Sequence, residues 1–114
     1  MMAINQNLDE LQQWYLSNCD GDWEHTYGIE IGTLDNPGWR LEIDLAETVL
    51  ENCSFEPREI DHTPNNWYHC KVESNVFKAL GGPGNLPDMI QSFIEWWHVH
   101  RESSLERDNR QPVS

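Results

Sequence analysis

The chain has 114 residues, of which 38% are hydrophobic and 11% aromatic, and its 20 acidic residues against 7 Lys and Arg give a formal net charge of −13. This length predicts one domain, and the apolar content is too high for a disordered chain. The negative charge argues against binding to nucleic acid or to an anionic membrane, because such binding depends on Lys and Arg side chains that contact the phosphates or the lipid headgroups.

The N-terminal sequence and the cysteines indicate the compartment. Residues 1–10 lack the basic start and apolar stretch of a secretory signal, and no segment approaches the roughly 20 apolar residues of a membrane span. Cys19, Cys53 and Cys70 are odd in number and form no Cys-x-x-Cys pair, which is typical of free thiols in a reducing environment. We therefore expect a cytoplasmic protein without a disulfide or zinc scaffold.

The first predicted element is a short amphipathic helix. Leu8, Leu11 and Tyr15 recur at helical spacing, so the pattern predicts a helix over residues 8–18. The following Asp20-Gly21 pair is a sequence at which a helix ends.

From Thr26 onward the hydrophobic period changes to two, which predicts a β-hairpin. The strands run through residues 26–33 and 39–45, and turn-forming residues occupy the predicted loop, 34–38. When both apolar sets share one face, Thr33 pairs with Trp39.

The polar face of this hairpin is acidic. In the same register Glu30 lies directly opposite Glu42, and Asp44 lies opposite Gly28. Like charges at directly opposite positions destabilise a sheet. We therefore expect Glu30, Glu42 and Asp44 to serve a partner.

Three further strands and a second long helix follow. The strands are predicted over residues 55–61, 67–73 and 76–80, and Pro57 places the first of them at an edge or a bulge. The helix follows the cap residue Asn85. Its apolar stripe is formed by Leu86, Met89, Ile90, Phe93, Ile94 and Trp97.

This order of elements predicts an α+β domain. We expect a four- to five-stranded antiparallel meander sheet with an N-terminal and a C-terminal helix packed on one face. Residues 1–101 would form the single domain, and residues 102–114 a polar tail that frays. The other face of the sheet would stay open.

An acidic segment before the hairpin is the clearest candidate for chemistry. Asp20, Asp22 and Glu24 match the first, third and fifth positions of a calcium loop, but His25 stands where Gly is needed and Ile31 where a bidentate Glu is needed. An exposed acidic loop is favoured over a cation site. A small metal-dependent or thiol hydrolase that uses this cluster is the alternative function.

Two tryptophans lie outside the apolar stripes. Trp23 lies within the acidic loop, and Trp67 shares the polar parity of its strand. An exposed Trp surrounded by acids is typical of an interface anchor. The alternative, for either Trp and for Trp23 in particular, is a ring that folds back to cover a helix end.

The chain combines several Trp- and Gly-containing motifs. They are Trp14-Tyr15, Cys19-Asp20-Gly21-Asp22-Trp23-Glu24-His25, Tyr27-Gly28, Thr33-Leu34-Asp35-Asn36-Pro37-Gly38-Trp39, Trp67 and Gly81-Gly82-Pro83. Together, over about residues 8 to 97, they resemble the immunity protein 53 family. The resemblance implies a protein of a bacterial polymorphic toxin system that binds and neutralises a cognate toxin, with no catalytic residue to carry over.

The charge and the resemblance agree on one hypothesis. A toxin that cuts nucleic acid must be basic to hold it, so an acidic surface suits such a nuclease. We expect stoichiometric occlusion of a basic toxin domain, without metal or cofactor. The expected partner-binding residues are Asp20, Asp22, Trp23, Glu24, Glu30, Glu42, Asp44 and Trp67. A general adaptor with several partners is a third hypothesis.

Overall fold

The structure, a computed structural model, describes residues 2–110, with side chains described over residues 6–101. The elements in chain order are α1 Met2–Asn18, α2 Trp23–Thr26, β1 Ile29–Leu34, β2 Gly38–Asp44, β3 Arg58–Thr63, β4 Asn66–Glu73, β5 Val76–Gly81 and α3 Leu86–Arg110. Within the described part of the chain, none of the helices has both the length and the apolar character required to cross a bilayer.

The five strands form one antiparallel sheet with the spatial order β1-β2-β5-β4-β3. The α+β class and the two terminal helices are confirmed. The order differs from a sequential meander because β5 lies between β2 and β4, and β3 lies at the far edge. The connection from residue 45 to 57 makes this possible, since its Leu50 is fully buried in the core and anchors the crossing chain.

The register of the first hairpin is the one predicted from parity. Thr33 pairs with Trp39. The strands continue to the pair Leu34 and Gly38, so the loop consists of residues 35–37 and is shorter than predicted.

Two Gly-containing motifs meet where β2 contacts β5. A Cβ added to Gly38 would lie 2.3 Å from the carbonyl oxygen of Gly81, so only glycine allows this approach. The next residue, Trp39, donates its Nε1–H to the carbonyl oxygen of Pro83 at 2.9 Å. These contacts fasten the end of the hairpin to the turn that precedes α3.

The hydrophobic core lies between one face of the sheet and the helices. Phe77 on β5 contacts Phe93 on α3 edge-on, with ring centroids 5.3 Å apart, and Trp14 on α1 contacts the same Phe93 at 5.0 Å. Glu10 and His98 form a hydrogen bond that joins α1 to α3. Both helices therefore pack on one side of the sheet, as predicted.

The residue expected to cap α3 has a broader role. The carbonyl of Asn85 accepts the first helical hydrogen bond, from the N–H of Met89 at 3.1 Å. Its side-chain oxygen, however, accepts the N–H of Trp67 at 3.2 Å, and its amide donates to Asp88 at 2.8 Å. Asn85 thus connects the start of α3 to β4.

Two helix boundaries and one short helix differ from the expectations. α1 begins at Met2, well before residue 8, and α2 was not predicted. In the segment assigned to a fraying tail, residues 102–110 continue α3, and residues 111–114 lie outside the described residues.

Candidate partner-binding surface

The acidic segment before β1 forms a closed turn. Oδ1 of Asp20 accepts the N–H groups of Asp22 and Trp23, both at 2.9 Å. The carboxylate of Glu24 accepts the N–H groups of Asp20 at 3.0 Å and of Gly21 at 2.9 Å. The backbone N–H groups of Trp23 and Asp22 hold the pKa of the Asp20 carboxyl below its ordinary value. Asp20 and Glu24 therefore hold the start of α2 in place.

The ring of Trp23 is part of the core. It is only 3% exposed, its Nε1–H donates to the carbonyl oxygen of Ala46 at 2.9 Å, and it contacts Trp14 edge-on at 5.9 Å. The expectation that Trp23 is an exposed anchor is wrong. The closed turn directs the ring inward, where it joins α1 to the chain that follows β2.

The side of the sheet that faces away from α1 and α3 is named the open face. Its members follow the alternation of the strands. The members with side chains beyond glycine are Glu30, Arg40, Glu42, Asp44, Glu59, Asp61, Trp67, His69, Lys71, Glu73, Val76, Lys78 and Leu80. Acids outnumber bases on this face, and Leu80, which is 43% exposed, lies near its middle, on β5.

The predicted acids of the hairpin all lie on the open face. Glu30 and Glu42 are directly opposite each other, and Nη1 of Arg40 lies 3.4 Å from Glu30 and 3.6 Å from Glu42. Arg40 thus relieves the repulsion that the sequence predicted. Asp44 accepts the N–H of Gly28 at 3.0 Å, so its carboxylate also supports the start of β1.

The other half of the open face centres on Trp67, which is half-buried. Its ring centroid lies 5.1 Å from that of His69, and Nε2 of His69 lies 2.9 Å from Oδ1 of Asp61. One ligand atom each of Glu59, Asp61 and His69 lies within 4.8 Å of the other two, so this trio is the grouping of the described residues that could hold a metal ion. Sequence reasoning missed it, because pairing β3 with β4 was needed to add Glu59 and Asp61.

The remaining charged cluster of the open face is balanced internally. Glu73 lies 3.1 Å from Nζ of Lys78 and 3.6 Å from Nζ of Lys71. The hydrogen bond from Lys78, together with the positive charge of Lys71, lowers the pKa of the Glu73 carboxyl. Glu30 and Asp61 on the outer strands are also paired, but their side chains, 74% and 67% exposed, are more accessible than that of Glu73, which is 55% exposed.

The geometry of residues 20–25 gives the hypothesis of a hydrolase built on this cluster no support. The carboxylates of Asp20 and Glu24 are occupied by backbone N–H groups, and the grouping of possible metal ligands in the described residues does not include them. The thiol beside this cluster, that of Cys19, donates to the carbonyl oxygen of Tyr15 at 3.3 Å. Elsewhere, burial raises the pKa of the Cys70 thiol to about 11, which keeps this thiol protonated at neutral pH. What the arrangement offers is an exposed sheet face that carries more acids than bases.

Comparison with known proteins agrees with the resemblance seen in the sequence. A sequence model of the family described as immunity protein 53 matches residues 8–98, which is more than half of the chain. The matched segment includes the closed acidic turn, the hairpin and about the first half of α3. No match was found among curated proteins or among solved structures.

Proposed function

Because the chain belongs to the immunity protein 53 family, we propose that it neutralises a basic cognate toxin domain by binding it stoichiometrically through the open face. Membership of this family implies an immunity role against a toxin. Occlusion of the toxin's functional site needs no chemistry from the inhibitor. The observation that carries the proposal is a sheet face that no helix of residues 2–110 covers, rich in acids, on a protein with a net charge of −13.

Electrostatic attraction would bring the partners together. A negatively charged surface raises the rate of encounter with a basic protein by about 10 to 10³ at low salt. Glu30 supports this role, because its side chain is 74% exposed and shares Arg40 with Glu42. Toxins that act on nucleic acid are one class with the matching positive charge.

Apolar contact would then hold the complex. Trp67 and Leu80 share the open face, and acids lie on both outer strands of the sheet. Large aromatic side chains near the centre of an interface carry much of the binding energy when the contacts around them exclude water. Trp67 thus takes the anchor role for which Trp23 was the other candidate, and exposed Asp22 adds to the negative field.

The first test measures binding of the cognate toxin domain by surface plasmon resonance over a salt series. Glu30→Lys combined with Glu42→Lys should slow association by about tenfold at low salt. The matched control is Glu51→Lys combined with Glu56→Lys, which changes the net charge equally at exposed positions of the loop between β2 and β3. An equal effect of both pairs, or no complex at low ionic strength, would overturn the proposal.

The second test concerns the anchor. Trp67→Ala should weaken binding by about 30-fold, the effect of a hot-spot residue, with little change in unfolding temperature. Val49→Ala is the control, since Val49 is apolar and 72% exposed but lies in the loop between β2 and β3. If both variants bind as the wild type does, the anchor assignment is wrong.

A further inference from the structure

The outer edge of β1 offers a second kind of contact. We propose that β1 accepts an extended segment of the toxin as an added strand, and that this segment carries alternating basic and apolar side chains. The inference rests on the proposed function and names the part of the toxin that is recognised. It also extends the open face by one strand.

The backbone of β1 presents hydrogen-bonding groups to its outer edge. The N–H of Asp44 donates to the carbonyl oxygen of Gly28 at 3.0 Å, which identifies this pair as hydrogen-bonded across the hairpin. Hydrogen-bonded and non-hydrogen-bonded pairs alternate along an antiparallel ladder. Ile29, Ile31 and Thr33 therefore direct their N–H and C=O groups away from β2, toward the edge.

The two edges of the sheet differ in how they resist strand addition. β3 follows Pro57 and has a register shift between Asp61 and Thr63, and both features interrupt pairing with a new strand. β1 contains no proline, lysine or arginine and keeps one register with β2 along its length. Of the two, β1 is the edge suited to a partner strand.

The side chains of β1 define what an added strand must carry. Ile31 faces the helix side and is 45% exposed, whereas Glu30 faces the open side. An open groove of about 340 Å³ lies beside the start of β1 on the helix side. It is lined by Leu11, Gln12, Tyr15, Gly28 and Ile29. Since side chains alternate, a matching segment places apolar residues toward this groove and basic residues beside Glu30.

Charge complementarity selects the toxin over a second copy of this chain. Pairing of two β1 strands would bring both Glu30 side chains to the same face of a joined sheet and would unite two molecules of charge −13. A basic segment of the toxin meets the opposite field.

The test is amide hydrogen exchange, followed residue by residue by NMR, in the free protein and in its complex with the cognate toxin domain. The amides of Ile29, Ile31 and Thr33 should exchange rapidly when free and at least about tenfold more slowly in the complex. The amides of Glu30 and Gly32 are internal controls, because they face β2 and are protected in both states.

The outcomes separate the two proposals. A complex that leaves the outward amides unprotected overturns strand addition and leaves the proposed function standing, whereas the absence of any complex overturns both. Protection that rises with the concentration of the free protein would identify a second copy as the occupant and would also overturn the inference.

A substitution gives an independent measurement. Ile31→Pro removes an outward N–H and is compatible with an edge strand, so it should weaken toxin binding by about tenfold. Ile31→Thr keeps that N–H and is the control. Equal affinities of the two variants would contradict the proposal, and if Ile31→Pro does not fold, the exchange measurement on the wild type decides.

Discussion

Substitution of Trp23 by phenylalanine separates a role in the fold from a role in binding. The change replaces a buried indole with a smaller phenyl ring and removes the hydrogen bond to the carbonyl oxygen of Ala46. A Trp buries about 50 Å² more than a Phe, worth about 1.2 kcal/mol at roughly 25 cal/mol per Å². The lost hydrogen bond adds about 1 kcal/mol. The free energy of unfolding should therefore fall by about 2 kcal/mol, which lowers Tm by about 8 °C in a domain of this size.

The assay is urea unfolding followed by circular dichroism, together with the affinity for the cognate toxin domain. Trp23→Phe should bind the toxin as the wild type does, because the ring lies in the core. Trp67→Phe is the matched control, since it makes the same chemical change on the open face. It should weaken toxin binding and leave the free energy of unfolding within about 0.5 kcal/mol of the wild type.

The opposite pattern would refute this reasoning. If Trp23→Phe weakened toxin binding and left stability unchanged, the ring would lie at the interface and the closed turn around Asp20 would have to open in solution. A fall in stability of both variants by the same amount would show that Trp67 also belongs to the core.

Three further variants test the sheet, its charges and the acidic turn. Gly38→Ala should lower the free energy of unfolding by about 3 kcal/mol, because the added Cβ meets the carbonyl oxygen of Gly81, whereas Gly28→Ala, which meets nothing within 4 Å, should be near neutral in the same urea assay. Arg40→Gln leaves Glu30 and Glu42 uncompensated, so it should lower the free energy of unfolding by roughly 0.5 kcal/mol and speed toxin association at low salt. An unchanged association rate in stopped-flow mixing would show that the toxin contacts another part of the surface. Because the pKa of the Asp20 carboxyl is lowered in the folded protein, its ionised form stabilises the fold at pH values above the ordinary pKa of 3.8. This stabilisation is lost as the pH falls through the lower folded-state pKa. The unfolding temperature of Asp20→Asn should therefore change less than that of the wild type over this acidic range. If the unfolding temperatures of Asp20→Asn and of the wild type fall in parallel with pH, the acid sensitivity belongs to other carboxyls.

Parity was enough to predict faces and the register of neighbouring strands. The alternation around residues 26–45 gave the pairing of Thr33 with Trp39, and it also places Arg40 on the same face as Glu42, so the ion pair was within reach of the sequence. Parity does not define which strands are neighbours. The insertion of β5 beside β2 requires the chain between β2 and β3 to cross to the far edge of the sheet, and this long connection, in which Leu50 is buried, has no periodic signal.

Periodic patterns could not predict the buried position of Trp23, for a different reason. The helix α2 spans only residues 23–26, and its start is defined by the hydrogen bonds of Asp20 and Glu24 to nearby backbone groups. Three acids around one Trp look like an exposed loop until those bonds are known. Of the expected binding set, the residues on the open face keep that role as a proposal, while Asp20, Trp23 and Glu24 have structural contacts that explain them.

The junction at Gly38, Trp39, Gly81 and Pro83 has a practical consequence for engineering. These motif residues join β2 and β5 to the start of α3, so their identity gives little information about which toxin is recognised. Side chains such as Glu42 on β2 and Leu80 on β5 project from the same strands without taking part in the junction. On the proposed function, randomising those projecting positions while retaining the junction should yield inhibitors with new targets on an unchanged scaffold.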